Sequence, residues 1–355
     1  SILMALFLPT RLDALQVANT NDSGPGSLRQ AITDSASGGT IDFAPELSGQ
    51  TILLSTSGGL LIDKPLTIEA IDLPQGINFS ALSEVNGFPF IVAVGGVLSL
   101  NKVHVINSAT GGIFVDGGSL TMHDCKIMGN FLAQGAGGIE VHEGVLTMSD
   151  CLLSGNQSET AGAINNQYGD ITLVRTTISG NSYELAPVGG IDNGPSGTVT
   201  LSQCTVDGNV ASDTGGIKNS GTLHIRQCTL TGNHGRFVGA IDNSGDLSLN
   251  ECTIAGNTSL PAIMSSVGGI HHGLSGSLLL NSTIVAGNSG TLAPDMSGSH
   301  TGANNLIGGD PLLAPLGNYG GATRTMPPLR GSPALEAGGS SSSYTDQRGG
   351  ARLRG

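Results

Sequence analysis

Residues 215–233 read GGIKNSGTLHIRQCTLTGN, and residues 239–257 read GAIDNSGDLSLNECTIAGN. The two stretches keep the same order: a Gly-Gly-Ile or Gly-Ala-Ile start, an L-x-L or L-x-I run, a cysteine, a short apolar alternation and a closing Gly-Asn. The start recurs at Gly111, Gly137, Gly162, Gly189, Gly215, Gly239 and Gly268, at spacings of 26, 25, 27, 26, 24 and 29 residues. A period in this range is the signature of a solenoid or a propeller. Within each unit, runs such as Leu223-His224-Ile225 and Leu247-Ser248-Leu249 alternate apolar with polar, which is the period of a strand with one buried face. Three short strands in about 25 residues, with no helical period, describe one coil of a parallel β-helix. Propeller blades need about 40–45 residues and leucine-rich repeats a different Leu and Asn pattern.

Aligning the units produces columns. The inward position before each turn asparagine collects all five cysteines, Cys125, Cys151, Cys204, Cys228 and Cys252, with Val103, Thr176 and Thr283 in the same column. The turn asparagines are Asn130, Asn156, Asn181, Asn209, Asn233, Asn257 and Asn288; a second column holds Asn166, Asn193, Asn219 and Asn243. Coils stack about 4.8 Å apart, so amides in one column can hydrogen-bond along the stack. The odd cysteine count and the absence of C-x₂-C pairs point to a ladder of buried free thiols rather than a disulfide framework or a zinc site. A Cys228–Cys252 bridge stays open on distance alone.

Composition agrees with an all-β solenoid. Of 355 residues 56 are Gly, against a usual share of about 7%, while charged residues make up 12% and aromatics 3%. Such scattered glycine is incompatible with a helical bundle. The net charge of −13, with 14 Lys and Arg and no basic run, excludes nucleic acid as an expected partner.

The ends depart from the repeat. Residues 1–16 open with an apolar run carrying Ile2, Leu3, Met4, Leu6, Phe7 and Leu8, too short to span a bilayer. It reads either as a secretory-signal remnant or as a strand that pairs with a neighbouring copy and drives head-to-tail assembly. Residues 17–39 form an N-terminal cap, with Ser27-Leu-Arg-Gln30 as a capping box opening a short helix over 27–36. Residues 40–310 form the parallel β-helix, with early strands at 40–43, 51–54, 60–62, 66–69 and 90–94. Residues 311–355 make a C-terminal cap and a Gly/Ser-rich tail.

Residues 17–32, with NTNDSGPGSLRQAI, resemble the N-terminal signature of CSLREA-type bacterial surface proteins, with Gly26 in the place of the signature cysteine. Residues 308–338, GGDPLLAPLGNYGGATRTMPPLRGSPALEAG, followed by TDQRG at 345–349, are similar to the choice-of-anchor Q region. The middle resembles pectate-lyase-like or polymorphic outer-membrane-protein repeats. The resemblance implies a secreted, right-handed parallel β-helix displayed on a bacterial surface; it implies no activity.

The sequence holds no G-x-S-x-G, H-E-x-x-H, P-loop or calcium-binding nonapeptide motif. No catalytic residue, metal ligand or cofactor site is assigned from the sequence. The residue after the Gly-Gly-Ile isoleucine faces outward, and its column reads Phe114, Glu140, Asn165, Asp192, Lys218, Asp242 and His271. Asp192, Lys218 and Asp242 are the candidate exposed polar column: an acid–base–acid run on successive coils, read first as a surface salt-bridge ladder and second as a lyase or hydrolase site. A second outward column is Asp124, Asp150, Arg175, Gln203, Gln227 and Glu251. The expectation is a secreted or cell-surface structural or adhesive protein that self-associates. The alternatives are a polysaccharide lyase or hydrolase, or a glycan-binding module, on the same fold.

Overall fold

Alternation sets each strand. In Thr222–Arg226, Leu223 and Ile225 are buried while His224 and Arg226 are exposed. In a computed structural model, which describes residues 14–55, 58–82, 87–182, 185–260, 265–339 and 345–351, these strands wind into a right-handed parallel β-helix of about 11 turns. A typical coil carries a first strand (Ile217–Asn219), a second (Thr222–Arg226) and a third (Thr229–Thr231), with a two-residue piece (His234–Gly235) before the next unit. Each strand pairs in parallel with its counterpart one coil on. Ile217 stands beside Ile241, Leu223 beside Leu247 and Leu230 beside Ile254. First and second strands join in one 19-stranded sheet; third strands make an 11-stranded sheet. Register therefore puts like residues in line through the core: Leu120, Leu146, Ile171, Val199, Leu223, Leu247 and Leu278 are all buried and consecutive.

The corner between second and third strands explains the cysteine column. Its outward residues, Asp124, Asp150, Arg175, Gln203, Gln227 and Glu251, are all left-handed, with φ between 45 and 58°, a conformation costing about 1–2 kcal/mol for a residue with a side chain. The next residue closes over it. The Sγ of Cys228 donates to the Arg226 carbonyl at 3.1 Å, and that of Cys252 to the Asn250 carbonyl at 3.2 Å. The hydroxyls of Thr176 and Thr283 do the same to Val174 and Asn281. From Cys125 onward the column thus holds small side chains that can donate inside a tight corner, Cys or Thr, whereas Val103, one coil earlier, fills the same place without donating. All five cysteines are free and buried, which removes the Cys228–Cys252 bridge.

Towards the N-terminal end, the helix spans Leu28–Asp34, two residues short of the expected C-terminal limit because Ser35 is already extended. Ser27 is the N-cap and its hydroxyl accepts the Gln30 N–H at 3.2 Å. Gln30 bonds Asp34 instead of reaching back, so the box is half formed. Leu28, Ala31 and Ile32 are buried against the first coils. The early coils also contain Ile77–Ala81, a strand that the sequence pattern does not predict. The strand proposed for residues 2–8 lies outside the described residues.

The described part of residues 311–355 touches the last coils, where the Gly339 N–H donates to the Ser282 hydroxyl at 3.1 Å, and also folds back along the third sheet as a strap. Arg324 pairs with Asp207 at 2.7 Å, and the Thr205 hydroxyl donates to the Arg324 carbonyl at 2.5 Å. Gln347 inserts its amide between coils, donating to the Cys204 carbonyl at 3.1 Å and accepting the Thr229 hydroxyl at 2.7 Å. Proline-rich sequence with few alternating residues cannot add another rung, yet its backbone groups still need partners, and the polar outer side of the third sheet supplies them.

Candidate functional site

Register confirms the geometry of the outward column on the first sheet. Phe114, Glu140, Asn165, Asp192, Lys218, Asp242 and His271 are consecutive partners on seven coils. The candidate triplet Asp192, Lys218 and Asp242 is therefore on adjacent strands, each side chain half-buried. The expected salt-bridge ladder does not form, however: among the described residues Lys218 has no carboxylate within 4.0 Å. Asp242 instead accepts from His271 Nδ1 at 2.8 Å. Neighbouring strands space the backbones by about 4.8 Å, but the Lys218 ammonium, on its long stem, need not stay at that level. His271, which stands outside the predicted triplet, is the group that engages its acid.

Burial holds the Asp192 carboxyl above the usual carboxylate range; Lys218 opposes that shift and Asp242 adds to it. The Asp242 carboxylate holds His271 above its ordinary value. Glu140 is the most enclosed acid of the column, only 6% exposed. One of its oxygens accepts from Asn165 Nδ2 at 2.8 Å and Gln167 Nε2 at 2.9 Å, and the other from the Ala136 N–H at 2.7 Å. Burial raises its pKa, and those three donors counter the rise. Two of the column's acids, Glu140 and Asp242, are engaged by hydrogen-bond partners, whereas glycosidic chemistry uses a pair of carboxylates that are free to act.

Next to Glu140 in the column, Phe114 stacks on Phe88 with ring centroids 5.3 Å apart. His142 and Tyr168 form a second ring pair at 5.7 Å, with Tyr168 54% exposed.

The asparagine columns are interior. From Asn130 to Asn288, each Nδ2 donates to the next Oδ1 at 2.9 Å, and Asn288 passes the relay to Asp295 at 3.0 Å. From Asn156 on, each Oδ1 also accepts the backbone N–H of the preceding asparagine, as Asn233 does from Asn209, while Asn130 accepts the Ser108 N–H. The second column runs Asn166, Asn193, Asn219, Asn243 at 2.7–2.8 Å and ends on His272 Nδ1 at 2.9 Å. His271 and His272 thus face opposite sides of one strand, as adjacent strand residues must. Because Asn156 and Asn257 are fully buried, the N-x-S/T triplets they open cannot accept a glycan in the folded protein. Among the described residues no group of three His, Cys, Asp or Glu is placed to hold a metal, and no helix is long and apolar enough to cross a membrane.

The family model for the right handed beta helix region matches residues 90–289. No curated protein matches the sequence.

Proposed function

The chain belongs to the right-handed β-helix family, and from that premise we propose that it is an extracellular structural or adhesive surface protein. The observation that carries this reading is the engagement of the outward acids: Glu140 is held by three donors and Asp242 by His271. A lyase or hydrolase needs acid and base groups free to exchange protons with a substrate. The resemblance of residues 17–32 and 308–349 to CSLREA-type and choice-of-anchor Q surface proteins supports a secreted, displayed protein. The glycan-binding alternative rests on the Phe88–Phe114 and Tyr168–His142 ring pairs, since aromatic faces give sugars an apolar platform.

Self-association is part of the proposal. A stack of like coils joined head to tail makes an open fibre when no rotation closes it. The test is negative-stain microscopy of the full-length protein and of a variant lacking residues 1–16. The expected result is end-to-end fibres from the full-length protein and folded monomers from the deletion. A full-length protein that stays monomeric at high concentration overturns the assembly element.

A further inference from the structure

A pocket of about 560 Å³ lies on the outer side of the third sheet, in the early coils. Its size is that of a small-ligand site. Two polar groups in its wall come from adjacent coils, His104 and Lys126, which are register partners. His104 is only 5% exposed, and its Nδ1 accepts the Lys126 backbone N–H at 3.2 Å. That bond places the ring proton on Nε2. Among the described residues, Nε2–H has no hydrogen-bond partner. Gly76 leaves this edge of the ring uncrowded: a β-carbon there would stand 2.8 Å from Nε2. The Lys126 ammonium has no ion-pair partner among the described residues, and the side-chain amides of Gln75 and Asn107, also in the wall, make no hydrogen bond there. Ile106 and Met128 complete the wall with apolar surface, and no carboxylate lines it.

The Lys126, Gln75 and Asn107 side chains are exposed to water, so a ligand seated among them would exchange solvent contacts for direct ones, with the nearly buried His104 ring holding one donor in place. The charge requirement is specific. A single ammonium in a wall without carboxylates selects one negative charge, and an imidazole N–H beside it supplies a second donor to the same group. Two carboxamides, each donor and acceptor at once, match a peptide group better than a phosphate, which offers only acceptors. Burial, and then the Lys126 charge, hold the His104 pKa below its ordinary value, so the ring donates in its neutral form.

We propose that this pocket binds the free carboxylate of an N-acylated apolar amino acid, either as a small molecule or as the last residue of a polypeptide. Lys126 and His104 Nε2–H take the carboxylate, Gln75 and Asn107 the adjoining peptide group, and Ile106 and Met128 the apolar side group. The test is calorimetric titration of the full-length protein with N-acetyl-L-leucine and with its C-terminal amide. The acid is expected to bind at least roughly tenfold more tightly than the amide, as a charge-assisted contact requires. In Lys126→Gln, at an exposed position that leaves the core intact, that preference disappears. A peptide ending in leucine with a free carboxylate separates the two sources: tighter binding than N-acetyl-L-leucine assigns the site to protein C-termini, weaker binding to small acyl amino acids. Equal binding of acid and amide, no binding of either up to the solubility of the probe, or a preference unchanged in Lys126→Gln overturns the proposal.

Discussion

Cys228 shows how much one residue does in this fold. Its Sγ donates to the Arg226 carbonyl across a left-handed corner and accepts the Cys204 N–H at 3.2 Å. Threonine can make both contacts, and the same column already uses it at Thr176 and Thr283. Cys228→Thr is therefore expected to stay within about 1 kcal/mol of the parent in chemical denaturation, while Cys228→Val, which fills the space but leaves the Cys204 N–H unpaired, loses about 1–3 kcal/mol. Equal stability of the two variants would show that the column selects for volume alone. Burial pushes the Cys252 thiol up to about 12, in keeping with packing rather than thiolate chemistry. On the surface, His271 has its pKa raised by Asp242. A histidine raised on folding stabilises the native state below its unfolded value, about 6.5, and loses that contribution as pH climbs through the folded value. The stability difference between the parent and His271→Gln should therefore be full below about pH 6.5 and shrink as the pH rises above it. A difference that grows with pH means that the pair is not ionic.

At the scale of the coil, the asparagine column fixes the corner between the third strand and the next unit. Asn209 makes four contacts: Nδ2 donates to Asn233 Oδ1 and the Ile178 carbonyl, and Oδ1 accepts from the backbone and side-chain amides of Asn181. None of these groups reaches water. Asn209→Ala should cost about 2–5 kcal/mol, since each orphaned buried group costs about 1–3 kcal/mol. Asn209→Asp should not rescue it, because its second carboxylate oxygen would face Asn233 Oδ1 and carry buried charge. Equal stability of Asn209→Ala and parent, by denaturant titration, would mean that water or backbone movement satisfies the neighbours. The first-sheet column behaves differently. Its contacts are made pair by pair, Glu140 with Asn165 and Asp242 with His271, so no single substitution propagates along it.

Across the whole molecule, the repeat and its columns are legible in the sequence because each rests on short spacing and one repeated environment. Leu223 and Leu247 are neighbours in space for the same reason that they occupy matching places in their units. What is not legible depends on groups far apart in sequence. Gln347 reaches Cys204 and Arg324 reaches Asp207, contacts that no periodicity announces. Lys218 aligns with two acids yet bonds neither, because register fixes where a strand residue sits and leaves a long ammonium stem free. The pocket at His104 has no sequence signal because a turn in the least regular coils supplies part of its wall. We propose that this β-helix serves for display or adhesion and not for turnover of a substrate. Incubating the purified full-length protein with polygalacturonate, alginate and chondroitin sulfate, and following unsaturated and reducing products, tests it most directly. The account predicts no product above that of heat-denatured protein; product formation that disappears in Lys218→Ala would contradict it and make Asp192, Lys218 and Asp242 an active site.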